Sequence, residues 1–457
     1  MSFSMEGKEL QVMEHIEIEV REPCIYRVPS RIRDVKPEAY TPQMVVIGPL
    51  HRSPKPSTAT DGAETSSSYP WHLKKEYIKM EEKKKTYLES YTQRVGEDKI
   101  EEMRKTIQAQ EENIRASYEE STEWIPSEYF VELILEDSVF IMEFIIRKNI
   151  QFPSLVRQDL FLLENQLPYF IFYILFNSIV TELCVRDRET FDHFILKCFD
   201  LKVQEKTNFK HFIDMFRYVY EQSLDDIPEQ MRRVWRWPLI TELRNADYLS
   251  QAGVTFKSSD LLDFPNYMDD EKPVVHKIKR MLTVGNEKKR ERVEGFSLHV
   301  VFEKGCLTMP GFFADEVSDM YLRNVIAYEQ CESHETVPFT SNYIQFLNFL
   351  ITCDRDVQLL TEEGVVTNSM GRPSLVVDMV NKLQIGLKTG APSQYHYIAK
   401  KLKAHYKSRR KMCWATLNKV YFSDLWTGTA SIAAVLLLLM TLVGTVASVI
   451  QTYQSFK

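Results

Sequence analysis

Asp137 and Glu164 are carboxylates set in apolar stretches of this chain. Two such acids on neighbouring elements are what general acid–base chemistry requires. His51, within Gly48-Pro49-Leu50-His51-Arg52, adds an imidazole beside a guanidinium, and together they could meet an anion. Each has a plainer use. A buried acid more often holds helices together through backbone or Arg hydrogen bonds, and His51 reads as a solvated loop imidazole. Asp354 and Asp356 flank Arg355. That pattern favours a helix N-cap with local ion pairs, because a metal site needs a convergent ligand set that the spacing does not offer. The chain has no Gly-x-Gly-x-x-Gly, no P-loop, no His-Glu-x-x-His and no Gly-x-Ser-x-Gly. No catalytic, cofactor-binding or metal-ligating residue is therefore assigned, no cofactor is expected, and the chain is expected not to be an enzyme.

The elements that would position these residues are mostly helical. Residues 71–118 are charged and Gly-poor, with Tyr77, Met80, Tyr87, Ile100 and Met103 spaced for helices with one apolar stripe. Phe130–Ile146 reads as a helix buried nearly all round, with Glu132, Glu136 and Glu143 as its one polar strip. Asp137 falls off that strip, so a buried carboxylate there needs a partner. Residues 159–180 read as two helices, Asp159 capping the first and Pro168 in the first turn of the second. Further helices are expected at 208–221, 238–251, 321–329, 341–352, 356–363 and 375–387. Residues 24–50 are too rich in Pro for a helix and read as an extended, packed segment with short strands. Residues 296–309 read as a hairpin turning at Lys304-Gly305. The fold class predicted is mainly α: a flexible leader at 1–22, one large helical domain at 23–395 with small β elements and a disordered loop at 53–70, a basic juxtamembrane segment at 396–426, a transmembrane helix at 427–450 and a short tail at 451–457.

That last helix rests on an uncharged apolar run of 24 residues, Thr427 to Ile450. As a helix it would reach about 36 Å, against a hydrocarbon core of about 30 Å. A basic collar precedes it: Lys400, Lys401, Lys403, Lys407, Arg409, Arg410, Lys411 and Lys419, with no acid between 400 and 419. By the positive-inside rule the body would stay cytosolic. Met1–Val20 lacks the apolar core of a signal peptide, so a single-pass, tail-anchored membrane protein is the expectation, with plasma membrane and endomembrane undistinguished. Setting the eight basic residues of 400–419 aside takes the formal charge from −7 to −15. An acidic body argues against nucleic acid as a partner and makes an anionic lipid surface beside the collar a candidate. Within the span Ala430, Ala434, Thr441, Gly444 and Ser448 form, with Leu437, a stripe where another helix could approach, so homo-oligomerisation is a hypothesis. The seven cysteines show no Cys-x-x-Cys spacing and no Asn-x-Ser/Thr acceptor occurs. Both suit reduced thiols in a cytosolic body.

An ordered series of blocks carries a resemblance. They are Cys24-Ile25-Tyr26-Arg27-Val28-Pro29, Pro42-Gln43-Met44-Val45-Val46-Ile47-Gly48-Pro49, Asp137-Ser138-Val139-Phe140-Ile141, Asp159 through Pro168, Glu242-Leu243 with Ala252-Gly253-Val254-Thr255-Phe256, Leu322 through Cys331, and Asp356-Val357-Gln358-Leu359-Leu360. In this order, from about residue 23 to the end, the chain resembles the plant family known as domain of unknown function 247. The resemblance implies a plant protein, commonly membrane-associated, with no enzymatic activity established for the family in general. Some relatives are implicated in reproductive recognition, a role carried by particular members. The chain departs from the family pattern after Ile47-Gly48-Pro49, where the usual aromatic, two histidines and Gly are replaced by Leu50-His51-Arg52-Ser53. Any ligand role of paired histidines would be missing here.

The functional expectation is a membrane-anchored interaction or recognition module that presents a helical surface to an unknown protein partner. The alternative is an enzyme of unrecognised type with a pocket near Asp137, Glu164 or His51. Convergence of such groups on one cavity would favour the enzyme, and their dispersal into helix contacts the module.

Overall fold

Long stretches with one apolar stripe become helices, and they pack through those stripes. The computed structural model describes residues 22–52, 75–146, 154–183, 191–198, 209–222, 238–261, 298–332, 337–387, 392–408 and 425–455. In chain order the helices are α1 (Ser30–Arg33), α2 (Lys75–Val95), α3 (Glu97–Ala109), α4 (Glu111–Ala116), α5 (Ser127–Ile146), α6 (Ser154–Asp159), α7 (Tyr169–Leu183), α8 (Phe191–Cys198), α9 (Phe212–Gln222) and α10 (Ala246–Gln251). After them come α11 (Glu316–Cys331), α12 (Phe339–Leu350), α13 (Asp354–Glu362), α14 (Pro373–Gln384), α15 (His396–Lys407) and α16 (Leu425–Ser455). The strands are β1 (Thr255–Leu261), β2 (Val301–Glu303), β3 (Cys306–Ala314) and β4 (Val366–Asn368). The fold is mainly helical with a small sheet.

α2 and α3 touch each other and both lie on α5, which is buried on nearly every side. The acids of α5 do not form a solvated strip. Glu143 is fully buried and pairs with Arg94 of α2, while Glu132 pairs with Arg104 of α3. The strip is therefore the seam that locks α2 and α3 onto α5. α11 is the other central element: after Asp315 caps it by accepting Ser318 N–H at 2.7 Å, residues 318–329 are all buried.

The expected hairpin is present, β2 antiparallel to β3 with Phe302 opposite Leu307. The rest of the sheet was not foreseen. β1 runs parallel to β3, with Thr255 opposite Cys306 and Phe256 opposite Leu307, and β4 runs parallel to the end of β3, with Phe312 opposite Val366. The β1–β3 register shifts between Ser258 and Leu261, opposite the stretch of β3 that carries Pro310. Proline donates no ladder bond, so it sits where the pairing changes. Two helical expectations also fail. Asp159 ends α6 instead of capping a helix, and 160–168 are turns. Residues 238–245 are not helical, and only Ala246–Gln251 is, with Asn245 as its cap.

The transmembrane helix expected at 427–450 is corrected. The run does form one helix, α16, but among the described residues no helix is long and apolar enough to cross a membrane. The single-pass placement and the cytosolic orientation derived from it fall with the span. The extended 24–50 segment also differs from expectation, having one isolated bridge, Ile25 with Tyr118, in place of short strands. The 53–70 loop, nearly all of the leader and the tail's last two residues lie outside the described residues.

Asp356 shows how acids are used in this fold. It accepts Thr352 N–H (2.9 Å), Cys353 N–H (3.0 Å), Thr352 Oγ1–H (2.8 Å), Asn245 Nδ2 (3.1 Å) and Asp247 N–H (2.9 Å). Burial would raise its pKa, but these donors outweigh it and hold the carboxyl below its ordinary value. Asp356→Ala should lower stability in urea denaturation by about 2 kcal/mol, because several donors lose one acceptor. A depressed carboxylate stabilises above its unfolded pKa, so the gap between wild type and variant should shrink as pH falls through 4.

Candidate functional site

Residues 22–52 form a strap with little regular structure: α1, single turns at Pro37–Tyr40 and Leu50–Arg52, and one bridge. Yet Ile25, Val45, Val46 and Ile47 are fully buried. Buried backbone groups need partners, and here side chains from the helical body supply them. Asp159 accepts the N–H groups of Gln43 (2.8 Å), Met44 (2.6 Å) and Val45 (2.8 Å). Asn165 accepts Ile47 N–H at 2.7 Å and donates to Val45 O at 3.0 Å. Asp137 accepts Gly48 N–H at 2.7 Å, and Glu164 accepts Val28 N–H at 2.7 Å. Asn324 of α11 donates to Ala39 O, and Tyr77 of α2 to Pro42 O.

Two ionic clusters grip the strap. Around Asp137 stand Lys84 at 2.5 Å and Arg52 at 3.8 Å, and Glu81 joins both cations, at 2.8 Å from Lys84 and 2.9 Å from Arg52. Lys84 also donates to Val46 O, and Arg52 to Val46 O and Gly48 O. Burial pushes the Asp137 carboxyl up against the pull of Lys84 and Arg52. Burial acts on Glu81 in the same sense, but Lys84 and Arg52 win and bring it down to about 2. The second cluster is Glu164 with Arg33 (2.6 Å), Arg27 (2.9 Å) and the His51 imidazole (3.9 Å). Burial would raise Glu164, but Arg33 above all, with His51 and Arg27, holds it below its ordinary value. Arg27 also pairs with Glu120 and donates to Leu50 O. Asp137 and Glu164 thus grip different parts of the strap, Gly48 and Val28, and His51 stands beside Glu164.

The strap's N-terminal end meets His211, ahead of α9. Its Nδ1 accepts Asp214 N–H at 3.3 Å, so Nε2 carries the proton and donates to Cys24 O at 3.0 Å. Burial lowers this imidazole from 6.5 to about 4 against the opposing pull of Asp214 and Glu332. Between those values the unfolded chain binds a proton that the folded chain does not, so stability falls as pH drops through that window. The penalty of His211→Gln, measured by urea denaturation, should therefore be smaller at pH 4.5 than at pH 7 by about 2 kcal/mol.

Sequence reading missed Lys84, Glu81, Arg27, Arg33 and Asn324 as partners. For Lys84 a signal existed. It falls in the stripe Tyr77, Met80, Lys84, Tyr87, Tyr91, a lone cation where apolar side chains recur. Among the described residues no group of three or more His, Cys, Asp or Glu could hold a metal ion. In the collar, Lys400, Lys401 and Lys407 are exposed on α15 and Lys403 bonds Glu242 at 2.6 Å. Arg409, Arg410 and Lys411 lie outside the described residues. Ala434, Thr441, Gly444 and Ser448 lie on exposed stretches of α16, and Thr441 Oγ1 donates to Leu437 O at 2.7 Å. Ala430 is on the same helix, its side chain outside the described set.

The chain is 23% identical over 442 residues to the UPF0481 protein At3g47200 of Arabidopsis thaliana, covering 92% of this chain and 84% of the relative. A second UPF0481 protein of that plant, At3g02645, is 22% identical over 522 residues, covering 97% and 94%. No solved structure matches. The family DUF247, plant protein of unknown function, matches residues 25–440. With nearly the whole chain matched, strap and helical body together, this protein belongs to that plant family of unknown function.

Proposed function

We propose that the chain is a protein-interaction or recognition module and not an enzyme. One observation carries this reading: the side chains that could do chemistry are already committed to the strap. Asp137, Asp159, Glu164 and His211 bond the backbone of residues 24–48. An acid or base that turns over a substrate needs a proton and a lone pair it can exchange. These groups use theirs to satisfy buried amides and cations. What remains for function is the outer surface of the helical body.

The test is proximity labelling in plant tissue, then reconstitution of each enriched protein with the purified chain and calorimetry. A direct stoichiometric complex with one of them is expected. Turnover of a small-molecule substrate by the purified chain, lost in a folded Glu164→Gln variant, would overturn the reading.

A further inference from the structure

Among the described residues, the outward side chains of α15 are exposed. Its inner face holds the helix in place: Ala399, Leu402 and Tyr406 are buried, Tyr406 meets Tyr248 edge-on at 5.7 Å, and His405 meets Phe302 of β2 at 5.4 Å. Tyr397, Lys400, Lys401, Ala404 and Lys407 are the exposed positions. Their spacing puts them within an arc of about 120° on the helix. The helix contains no acid. At its N-terminal end Tyr397 is 55% exposed, and Leu239, whose carbonyl is bonded by His396 Nδ1 at 2.8 Å, is 40% exposed.

We propose that this face of α15 binds a short acidic segment of a partner protein, its carboxylates on Lys400, Lys401 and Lys407 and an apolar side chain on Tyr397 and Leu239. The proposal rests on the interaction reading above and names the class of partner. Charge complementarity favours it. Glu242 already lies against this rim, bonded by Lys403 at 2.6 Å and 3.8 Å from Arg244, so cations remain in excess there. Lys403 holds the Glu242 carboxyl below its ordinary value, with Arg244 and Lys407 adding to the effect. A long polyanion is disfavoured because the whole chain carries −7 and would repel it beyond this face. The exposed Tyr397 and Leu239 add an apolar anchor of the kind protein interfaces place beside charge.

The test uses the intact chain and fluorescence anisotropy with two labelled peptides. One alternates Glu and Leu and the other alternates Gln and Leu. The acidic peptide should bind, more weakly as salt rises, and the neutral one should not. The triple variant Lys400→Gln, Lys401→Gln, Lys407→Gln should weaken binding about tenfold, the sum of three exposed ion pairs. Tyr397→Ala should weaken it separately, and circular dichroism should show both variants folded. Equal binding of the two peptides, or full affinity in the triple variant, overturns the proposal. Tighter binding of phosphatidylserine vesicles or duplex DNA through the same lysines overturns the choice of occupant. If the reconstituted partner of the preceding test binds the triple variant unchanged, this face is wrong and the interaction reading stands. If no partner binds the wild type, the interaction reading itself is wrong.

Discussion

Asp137→Ala is expected to cost about 3 to 5 kcal/mol of stability, the range for removing one member of a buried ion pair. The variant leaves Lys84, with no solvent exposure, 2.5 Å from a vanished carboxylate, and leaves Gly48 N–H without its acceptor. Glu81 remains on Lys84 at 2.8 Å but is shared with Arg52, so one carboxylate then faces two buried cations. The informative comparison is the pair Asp137→Leu with Lys84→Met. Removing both charges also removes the uncompensated cation. The double variant should therefore lie well above the sum of the single penalties, with a coupling of about 2 kcal/mol. It should still fall below wild type by about 1 to 3 kcal/mol, because Gly48 N–H stays unpaired. Urea denaturation of the four proteins measures the cycle. A single-variant cost under about 1 kcal/mol would mean that water reaches Lys84 and that the cluster does not hold the strap.

This network shows what the sequence carries and what it hides. That Asp137 needs a partner was legible, since it departs from the polar strip of a helix otherwise apolar. The partner's identity was not, because Lys84 stands 53 residues earlier and nothing local links the two. The strap repeats the lesson. Its prolines exclude a helix, and its apolar residues demand burial. An extended buried chain is usually satisfied by strand pairing, and short strands were expected on that basis. Here Asp159, Asn165 and Glu164 act as the partners, from more than 100 residues away. The sheet was missed for a related reason. The hairpin at Lys304-Gly305 is local and could be read, whereas the parallel pairings of β1 and β4 with β3 join segments about 50 residues apart. Helices with strong periodicity, α2 and α5 above all, were legible because their signal lies within a few turns of chain.

Gly48→Ala should be the most damaging single-methyl change in the strap. Gly48 has φ +66°, where a side chain costs about 1 to 2 kcal/mol. A Cβ there would also stand 2.6 Å from Gln166 O and 3.1 Å from Tyr118 Oη. The nearer atom is backbone, and it already accepts the Tyr118 hydroxyl at 3.0 Å. It cannot turn aside as the end of a long side chain can, so the strap must move. Movement at Gly48 pulls on the bonds from Ile47 N–H to Asn165 and from Gly48 N–H to Asp137. Conformational strain and overpacking together come to about 3 to 5 kcal/mol. Gly364→Ala separates the two contributions. Its φ is +70°, but nothing lies within 4 Å of an added Cβ, so only the conformational part applies. Thermal and urea unfolding should place Gly364→Ala about 1 kcal/mol below wild type and Gly48→Ala at least twice as far. Amide exchange adds a spatial check. In Gly48→Ala, protection should fall first at Ile47 and Gly48, whose acceptors are side chains of the helical body, while α12 keeps its own ladder. Equal penalties for the two variants would mean that the strap yields freely at Gln166 and that its fit against the 160–168 turns contributes little.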